Sequence, residues 1–479
     1  MRTVATVAVL AVLLIAATFK PVIENDGIGY FAYLHSAVVD RDLDLGDEYQ
    51  AAIADGIPVW PGLVHSTTPT GRTADYFPVG PTLLASPAYL LALAIRPSGE
   101  PQWHAPFSTA ITLASLLYGL LALLLSFLLA RSVVGRREAL VATFATAAAT
   151  PFLYYLLFEP SYSHTFSAFM VAAFVLAWWR GRDGRTIAGW LLLGLVGGLM
   201  ALTRFQDGPL LAIALLDLPR ARWRVLLLLP GVLIGFAPQL ATDLYLFGSW
   251  LPVRPAGQEL TPLPGFYWQV LFSSWHGLFT WSPVLLAAVA GIVLLPDRRL
   301  KAAFAYALLV ETLINGAAPD WWGGFSFGMR RFLDLTPFFV LGLAAVAARL
   351  PSRVSWSAAS LLAAWNLLLI ANFTYVIRTD HDPGYWGLVA GQVPAVGYLP
   401  HLFAQGAVVR TLVLWPLLGT AFDPLTGLTV LALEALCVVA ALALAPAGTS
   451  PPGPAAASPA PSPSALAAGT ADSSPPASR

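Results

Sequence analysis

The chain has 479 residues, of which 57% are hydrophobic and only 11% charged, and its mean hydropathy is +0.70. Soluble domains carry roughly 25% charged residues, so a soluble core could not hide this much apolar surface and the chain must be an integral membrane protein. The formal net charge of +0 gives no argument for a nucleic-acid partner, and the single cysteine, Cys437, excludes an internal disulfide.

Apolar segments of spanning length recur along most of the sequence and predict an all-α polytopic membrane protein. We predict about twelve spans, at residues 3–19, 108–130, 139–157, 164–179, 186–203, 208–219, 225–243, 281–296, 302–317, 335–350, 355–376 and 425–446. Residues 77–95 are also apolar but contain three prolines. We expect them to form a helix on the membrane surface, and a spanning helix is the alternative.

The distribution of charge predicts the orientation of these spans. With the N-terminus inside, the inner loops hold fifteen basic residues and four acids, whereas the outer segments hold ten basic residues and nineteen acids. Because cytoplasmic loops are enriched in Lys and Arg, we predict a bacterial plasma-membrane protein with both termini in the cytoplasm. The first span resembles a signal peptide, but we expect it to be retained.

Two regions differ in composition. Residues 1–446 form the membrane domain, and residues 447–479 are rich in Pro, Ala and Ser, which predicts a disordered cytoplasmic tail. The long outer segments, at residues 20–107, 244–280, 318–334 and 377–424, contain Trp, Tyr, Gly and Pro and are expected to be ordered.

Acidic residues follow the first span closely. Asp26 is followed by two glycines and then by Tyr30, an arrangement that suits a carboxylate at the mouth of a membrane helix. Glu24 is a reserve candidate for the same role. The run from Asp40 to Glu48 is typical of a solvated turn, although Asp40 could hold a partner in place.

Two further outer positions combine an acid with a basic or imidazole side chain. Glu159 and His164 lie in the short second outer loop, where the alternatives are a functional site and an interfacial aromatic belt. Arg204 and Asp207 follow the fifth span. An arginine beside apolar residues must be paired or face a cavity, so Asp207 either neutralises Arg204 or contributes to binding.

Aromatic and glycine-rich stretches precede the eighth and tenth spans. The stretch Trp321 to Phe332 contains three glycines and ends with the pair Arg330 and Arg331, which breaks the positive-inside trend. A guanidinium group binds phosphate through a planar fork of donors, so we predict an anion site here, with membrane anchoring as the alternative. His276 lies among aromatic residues that could stack on a sugar, cover a lipid tail or form an interfacial belt.

Acids within the predicted spans are functional candidates by default, and Glu311 and Glu434 are examples. The sequence shows no metal signature of paired His or Cys and no Gly-rich phosphate loop on the cytoplasmic side. We therefore assign no metal and no cofactor, although a divalent cation is possible.

Taken together, these motifs resemble those of the C-type (GT-C fold) membrane glycosyltransferases, the group that includes protein O-mannosyltransferases and lipid A aminoarabinose transferases. The resemblance spans residues 1 to about 446 and rests on the following motifs: Asp26 with Tyr30, Tyr76-Phe77-Pro78-Val79-Gly80-Pro81, Glu159, His276 to Trp281 and Trp322 to Phe332. Several relatives carry Asp-Glu where this chain has Asp26-Gly27, so a second carboxylate would come from Glu24, Asp40 or Glu159.

The resemblance implies a polyprenyl-phosphate sugar donor and a glycan, lipid or protein acceptor outside the cytoplasm. Transfer with inversion needs a base for the acceptor hydroxyl, for which we choose Asp26, with Glu159 as a second catalytic carboxylate. The leaving phosphate needs charge stabilisation, which we assign to Arg330, Arg331, Arg204 and Arg72. The remaining candidate substrate-binding residues are Tyr30, Asp40, Tyr76, His164, Asp207, His276 and Trp322.

The sequence is also compatible with two functions other than sugar transfer from a polyprenyl monophosphate. A polysaccharide ligase or polymerase would also use polyprenyl-linked sugars, but as diphosphates. A lipid or solute transporter would place ionisable groups near the bilayer midplane in repeated halves, whereas this chain concentrates its acids on one face and shows no internal repeat.

Overall fold

The computed structural model describes residues 12–96, 103–377, 381–414 and 424–443. Within these ranges the chain is helical, and the extended backbone contributes only an isolated bridge between Thr67 and Thr73. The prediction of an all-α fold is therefore confirmed. The predicted tail at 447–479 and the start of the first predicted span lie outside the described residues.

The α-helices of nine or more residues are numbered α1 to α13 here. They are α1 (Asp26–His35), α2 (Gly46–Ala54), α3 (Gly80–Ile95), α4 (Phe107–Val133), α5 (Arg136–Ala148), α6 (His164–Arg180), α7 (Ile187–Thr203), α8 (Leu228–Phe247), α9 (Arg298–Ala317), α10 (Thr336–Ala347), α11 (Ser352–Asn372), α12 (Gln392–Phe403) and α13 (Pro424–Ala443).

Helices coincide with the predicted spans, but several are interrupted. The span predicted at 139–157 consists of α5 and a separate short helix, Phe152–Leu157. The break lies at Thr150-Pro151, where proline removes a backbone donor and clashes with the preceding turn of a continuous helix. The segment at 208–219 belongs to a 3-10 helix, Phe205–Asp217, in place of the expected α-helix.

Four helical stretches among the described residues are long and apolar enough to cross a membrane, at Phe107–Val133, Phe205–Phe247, Arg298–Ala317 and Ser352–Ile377. Shorter apolar helices accompany them. The chain is a multi-pass membrane protein, and the count of twelve spans stays a prediction.

The first outer segment folds into a packed lobe on one end of the helix bundle. Helix α1 packs there against both α2 and α3, and α3 also lies against α4. Two buried side chains are hydrogen-bonded within the lobe: the Tyr49 hydroxyl donates to Asp75 at 2.8 Å, and the Trp103 indole donates to the Glu48 carbonyl at 3.1 Å. The lobe holds α1 in place at the mouth of the bundle.

A buried charge cluster closes the opposite end of the bundle. Asp217 lies between Arg185, at 3.4 Å, and Arg299, with which it forms a closer ion pair. The three residues connect the loop after α6, the 3-10 helix Phe205–Asp217 and the start of α9. Burying a carboxylate that is paired in this way costs much less free energy than burying an isolated one. The cluster therefore fixes the spacing of these elements.

Helices α7 and α8 approach each other through glycines. Gly194 and Gly198 of α7 face Gly231 and Gly235 of α8, and a Cβ atom added at any of the four would collide with backbone atoms of the other helix. The spacing of four residues in each helix is the small-residue pattern by which membrane helices bring their backbones together.

Replacing Gly198 by Ala is therefore expected to destabilise the protein by about 1–3 kcal/mol, because the added methyl group overpacks a backbone contact. The matched control is Gly397→Ala in α12, where an added Cβ meets no atom within 4 Å. The measurement is thermal unfolding of both variants in detergent. Equal unfolding temperatures for the two variants would contradict the close packing.

Candidate active site

Asp26 and Arg330 form the centre of the site. Arg330 Nη1 donates to Asp26 Oδ2 at 2.7 Å, across 304 residues of sequence. The Arg330 side chain is 12% exposed and that of Asp26 is 32% exposed, so the pair lies at the edge of the protein interior. The two residues that the sequence proposes as base and phosphate ligand are thus in direct contact.

Local geometry presents the Asp26 carboxylate at the start of α1. Asn25 precedes the helix with a φ of 55°, which is not helical, and Asp26 occupies the first turn, where a negative charge is favoured by the helix dipole. Gly27 lies against Ser161, and a Cβ at this position would overlap the Ser161 side chain. The glycine after Asp26 therefore allows α1 to pack against the second outer loop.

The segment before Arg330 folds back through three glycines. Gly323, Gly324 and Gly328 have φ values of 77°, 73° and 60°, which side chains with a Cβ rarely adopt. The Gly323 carbonyl accepts from Arg330 Nη2 at 3.0 Å. This turn fixes one side of the guanidinium while the other side reaches Asp26.

Tyrosines enclose the ion pair. The Arg330 guanidinium lies 4.7 Å from the centroid of the Tyr162 ring, and the Tyr155 hydroxyl accepts from the Phe327 backbone amide at 2.9 Å. Tyr30 accepts from the Ser163 hydroxyl at 2.9 Å, and burial raises the pKa of Tyr30 despite the opposing charge of Arg204. Its phenol therefore stays protonated at neutral pH and can donate a hydrogen bond.

Glu159 is the second carboxyl group near the centre. Its Oε1 accepts from the Tyr154 hydroxyl at 3.2 Å, and its Oε2 is buried without a hydrogen-bond partner among the described residues. Burial, followed by repulsion from Glu24, raises the pKa of Glu159 to about 7, although Arg330 opposes the shift. Glu24 is half-exposed and pairs with Lys20 at 3.2 Å.

Arg204 and His164 form a second pair behind the first. Arg204 Nη1 lies 3.0 Å from His164 Nδ1, and its Nη2 donates to Gln206 at 2.8 Å. A guanidinium can only donate, so Nδ1 of His164 must accept and the imidazole must be neutral, with its proton on Nε2. Tyr30 lies within electrostatic reach of both Arg204 and Arg330.

The predicted arginine pair divides between two partners. Arg331 Nη2 donates to Asp320 at 2.5 Å, while its backbone carbonyl accepts from Gln206 at 2.7 Å. Asp320 was not predicted, although it directly precedes the double tryptophan. Its contact with Arg331 means that Arg330, rather than both arginines, faces Asp26.

His276 and Trp322 belong to the scaffold of the glycine turn. His276 Nδ1 lies 2.7 Å from the Trp322 carbonyl, and Trp275 stacks on Trp322 with ring centroids 4.7 Å apart. Burial lowers the pKa of His276 to about 4, so the ring is neutral at neutral pH. Whether a substrate stacks here stays a prediction.

Three predicted site residues make their contacts in the outer lobe. The Arg72 guanidinium lies 3.9 Å from the Tyr245 ring, Tyr76 packs against Phe247, and Asp40 lies 3.5 Å from His35. Their contacts in the described part of the chain do not include Asp26, Arg204 or Arg330. Their assignment to the substrate stays a prediction.

Asp207 is fully buried rather than paired with Arg204. Its Oδ2 accepts from the Ser167 hydroxyl at 2.7 Å, and the nearest carboxyl groups are those of Glu311 and Asp334. Glu311 was singled out as an intramembrane acid, whereas Asp334 and Gln206 were missed. In the sequence, Gln206 lies two residues after Arg204 and Asp334 lies three residues after Arg331, so their nearness to these arginines could have indicated both.

Comparison with known proteins gives one family match. The sequence model of the dolichyl-phosphate-mannose-protein mannosyltransferase family matches residues 88–241, a stretch that includes Glu159, His164, Arg204 and Asp207. No curated protein matches the sequence significantly.

Comparison of structures gives the fold. The crystal structure of ArnT from Cupriavidus metallidurans in the apo state superposes with a TM-score of 0.51 at 16% identity, covering 92% of this chain and 76% of ArnT. Oligosaccharyltransferase AglB from Archaeoglobus fulgidus matches with a TM-score of 0.39 at 13% identity, over 84% of this chain and 55% of AglB, and carries no part of the argument. The ArnT match shows that the chain shares the fold of ArnT, which agrees with the C-type glycosyltransferase fold that the sequence resemblance implies. The family match supports the same resemblance over residues 88–241.

Proposed function

We propose that this protein transfers a sugar from a polyprenyl-phosphate donor to a hydroxyl group of an extracytoplasmic acceptor, with inversion at the anomeric carbon. The observation that carries the proposal is the 2.7 Å contact between the Asp26 carboxylate and the Arg330 guanidinium, which supports a base and a phosphate-binding group in one site. The matched family is described as using dolichyl-phosphate-mannose and protein, which supports a lipid-phosphate donor here. The excess of acids in the outer segments supports an outward-facing site.

The donor phosphate would compete with Asp26 for Arg330. The donor is a phosphodiester with one negative charge, like a carboxylate, and it accepts two parallel hydrogen bonds from a guanidinium fork; its phosphate gains a second negative charge as the bond to the sugar breaks. Binding of the donor would therefore draw Arg330 away from Asp26 and leave the carboxylate free to accept a proton. Arg204 and the Tyr30 hydroxyl lie close enough to add further positive charge and a donor.

The transfer step then needs no general acid. The acceptor oxygen attacks the anomeric carbon, its proton passes to Asp26, and the bond between the anomeric carbon and the phosphate oxygen breaks. The electron pair of that bond leaves with the polyprenyl phosphate, whose charge Arg330 stabilises in a partly dry site. The acceptor hydroxyl becomes the new glycosidic oxygen, and the proton leaves the site from Asp26.

Glu159 would act as the second carboxylate. The buried hydroxyls of Tyr155 and Tyr162 interact electrostatically with both Asp26 and Glu159, which supports the assignment of the two acids to one site. When ionised, Glu159 would strengthen Asp26 as a base by repulsion and accept a hydrogen bond from the acceptor. Below about pH 7 it is protonated and loses both effects.

Asp26→Asn is expected to reduce transfer by about 10²-fold or more, because the amide cannot take the acceptor proton. The assay follows label transfer from polyprenyl-monophosphate sugars, with polyprenyl-diphosphate sugars in parallel to test the ligase alternative. The control is Asp55→Asn, which removes a carboxylate of the outer lobe that pairs with the exposed His104. Near-normal transfer by folded Asp26→Asn would rule out this base.

Arg330→Ala is expected to lower the transfer rate by about 10²–10³-fold, the usual cost of losing one ligand to developing negative charge. Arg330→Lys should recover only part of the rate, because an ammonium lacks the planar fork. Arg254→Ala, at an exposed arginine in another outer segment, is the control. Equal transfer rates in Arg330→Ala and Arg254→Ala would contradict the phosphate-binding role of Arg330.

The pH dependence of transfer should report on Glu159. Since its pKa is raised to about 7, the ionised fraction grows as pH rises from 6 to 8, and wild-type activity is expected to rise through this range. Glu159→Gln should give lower activity without this rise. The measurement is the pH profile of kcat/KM for both proteins, and an identical rise in Glu159→Gln would exclude Glu159 as its source.

A further inference from the structure

Three carboxyl groups from distant parts of the chain meet beneath Arg204. Asp207 comes from the 3-10 helix Phe205–Asp217, Glu311 from α9, and Asp334 from the short helix Arg330–Leu335. One carboxylate oxygen from each lies within 4.8 Å of the other two, and all three residues are fully buried. Asp334 lies between the other two, within side-chain hydrogen-bonding range of both.

Each carboxyl group is held by a donor through only one of its oxygens. Ser167 donates to Asp207 Oδ2 at 2.7 Å, and the Leu335 backbone amide donates to Asp334 Oδ1 at 2.8 Å. Glu311 Oε2 accepts from Gln206 at 2.9 Å and from Asn315 at 3.0 Å. Such outer contacts fix the orientation of carboxylates that bind a metal ion.

The other oxygen of each group lacks a donor. Asp207 Oδ1, Glu311 Oε1 and Asp334 Oδ2 are buried and have no hydrogen-bond partner among the described residues. A buried, unpartnered carboxylate oxygen is costly, and three in one place are stabilised either by a shared cation or by shared protons. This observation is separate from the clustering itself and points to a ligand.

The protein supplies too little positive charge to balance the three acids. No ion pair within 4 Å reaches any of them in the described part of the chain. Arg204 interacts electrostatically with all three carboxyl groups, but its side chain is hydrogen-bonded to His164 and Gln206. Three carboxylates and one guanidinium leave two negative charges, which a divalent cation would neutralise.

We propose that Asp207, Glu311 and Asp334 form a binding site for one hard divalent cation of the Mg²⁺, Mn²⁺ or Ca²⁺ class. Such ions take oxygen ligands at about 2.0–2.6 Å, so two ligands of one ion lie at most about 5 Å apart, consistent with the spacing of these oxygens. The donor set contains no sulfur or imidazole, which disfavours Zn²⁺.

The cation would position the active-site segment without touching the substrate. Gln206 connects Glu311 to Arg204 and also donates to the Arg331 carbonyl, next to the residue that contacts Asp26. Asp334 lies four residues after Arg330 on the same short helix. A bound ion would thus tie α9 and the 3-10 helix Phe205–Asp217 to the segment that carries Arg330.

Binding of Mn²⁺ alone tests the site independently of any transferase assay. Full-length protein is purified in detergent, stripped with EDTA and titrated with Mn²⁺ while free ion is followed by electron paramagnetic resonance. We expect one saturable site per chain, weakened about tenfold or more in Asp207→Asn and in Glu311→Gln. Asp47→Asn is the control, because Asp47 belongs to a separate, partly exposed acid group with Asp40 and Glu48.

A wild-type chain with no saturable Mn²⁺ site overturns the proposal, and so does a site that Asp207→Asn and Glu311→Gln leave unchanged. Thermal unfolding of the wild type gives a second measurement that does not depend on the variants folding. EDTA should lower the unfolding temperature and Mg²⁺ should restore it. An unfolding temperature that is insensitive to both means that the three acids share protons instead, which also overturns the proposal.

Discussion

The contact between Asp26 and Arg330 is the interaction on which the rest of the site depends. It joins the start of α1 to a segment more than three hundred residues later in the chain. A partly buried ion pair is stable only where both desolvated charges keep good partners. The glycine turn, the tyrosine rings and the packing of Gly27 against Ser161 supply the geometry that keeps these two side chains together.

Buried charge is distributed along a path from the mouth into the interior. Arg330 is paired with a carboxylate, Arg204 is held by neutral partners, and the three acids beneath it exceed the nearby positive charge. This arrangement suits an anionic lipid phosphate beside Asp26, where the Arg330 guanidinium can exchange the carboxylate for the phosphate. It also suits a cation among Asp207, Glu311 and Asp334, which have no basic side chain within ion-pair distance in the described part of the chain.

The helix bundle provides the rigidity that such an arrangement requires. In the bundle, Asp217 forms ion pairs with Arg185 and Arg299, and four glycines at the α7–α8 contact bring two backbones together. Both features lie away from the Asp26–Arg330 pair. They matter to the chemistry because α7 leads directly into Arg204, whose position follows from where α7 ends.

The sequence by itself determined the membrane character, the all-α class and the positions of most helices, because hydrophobic runs and charged loops are local properties of the chain. It also identified Asp26, Glu159, Arg204 and Arg330, since charged residues beside apolar segments stand out. It did not reveal that the predicted span 139–157 is interrupted at Pro151 or that Phe205–Asp217 is a 3-10 helix. It also did not reveal that Arg330, rather than Arg331, contacts Asp26. Only the tertiary structure decided those points and the meeting of Asp207, Glu311 and Asp334, because contacts across a hundred or more residues depend on how helices pack and leave no local pattern.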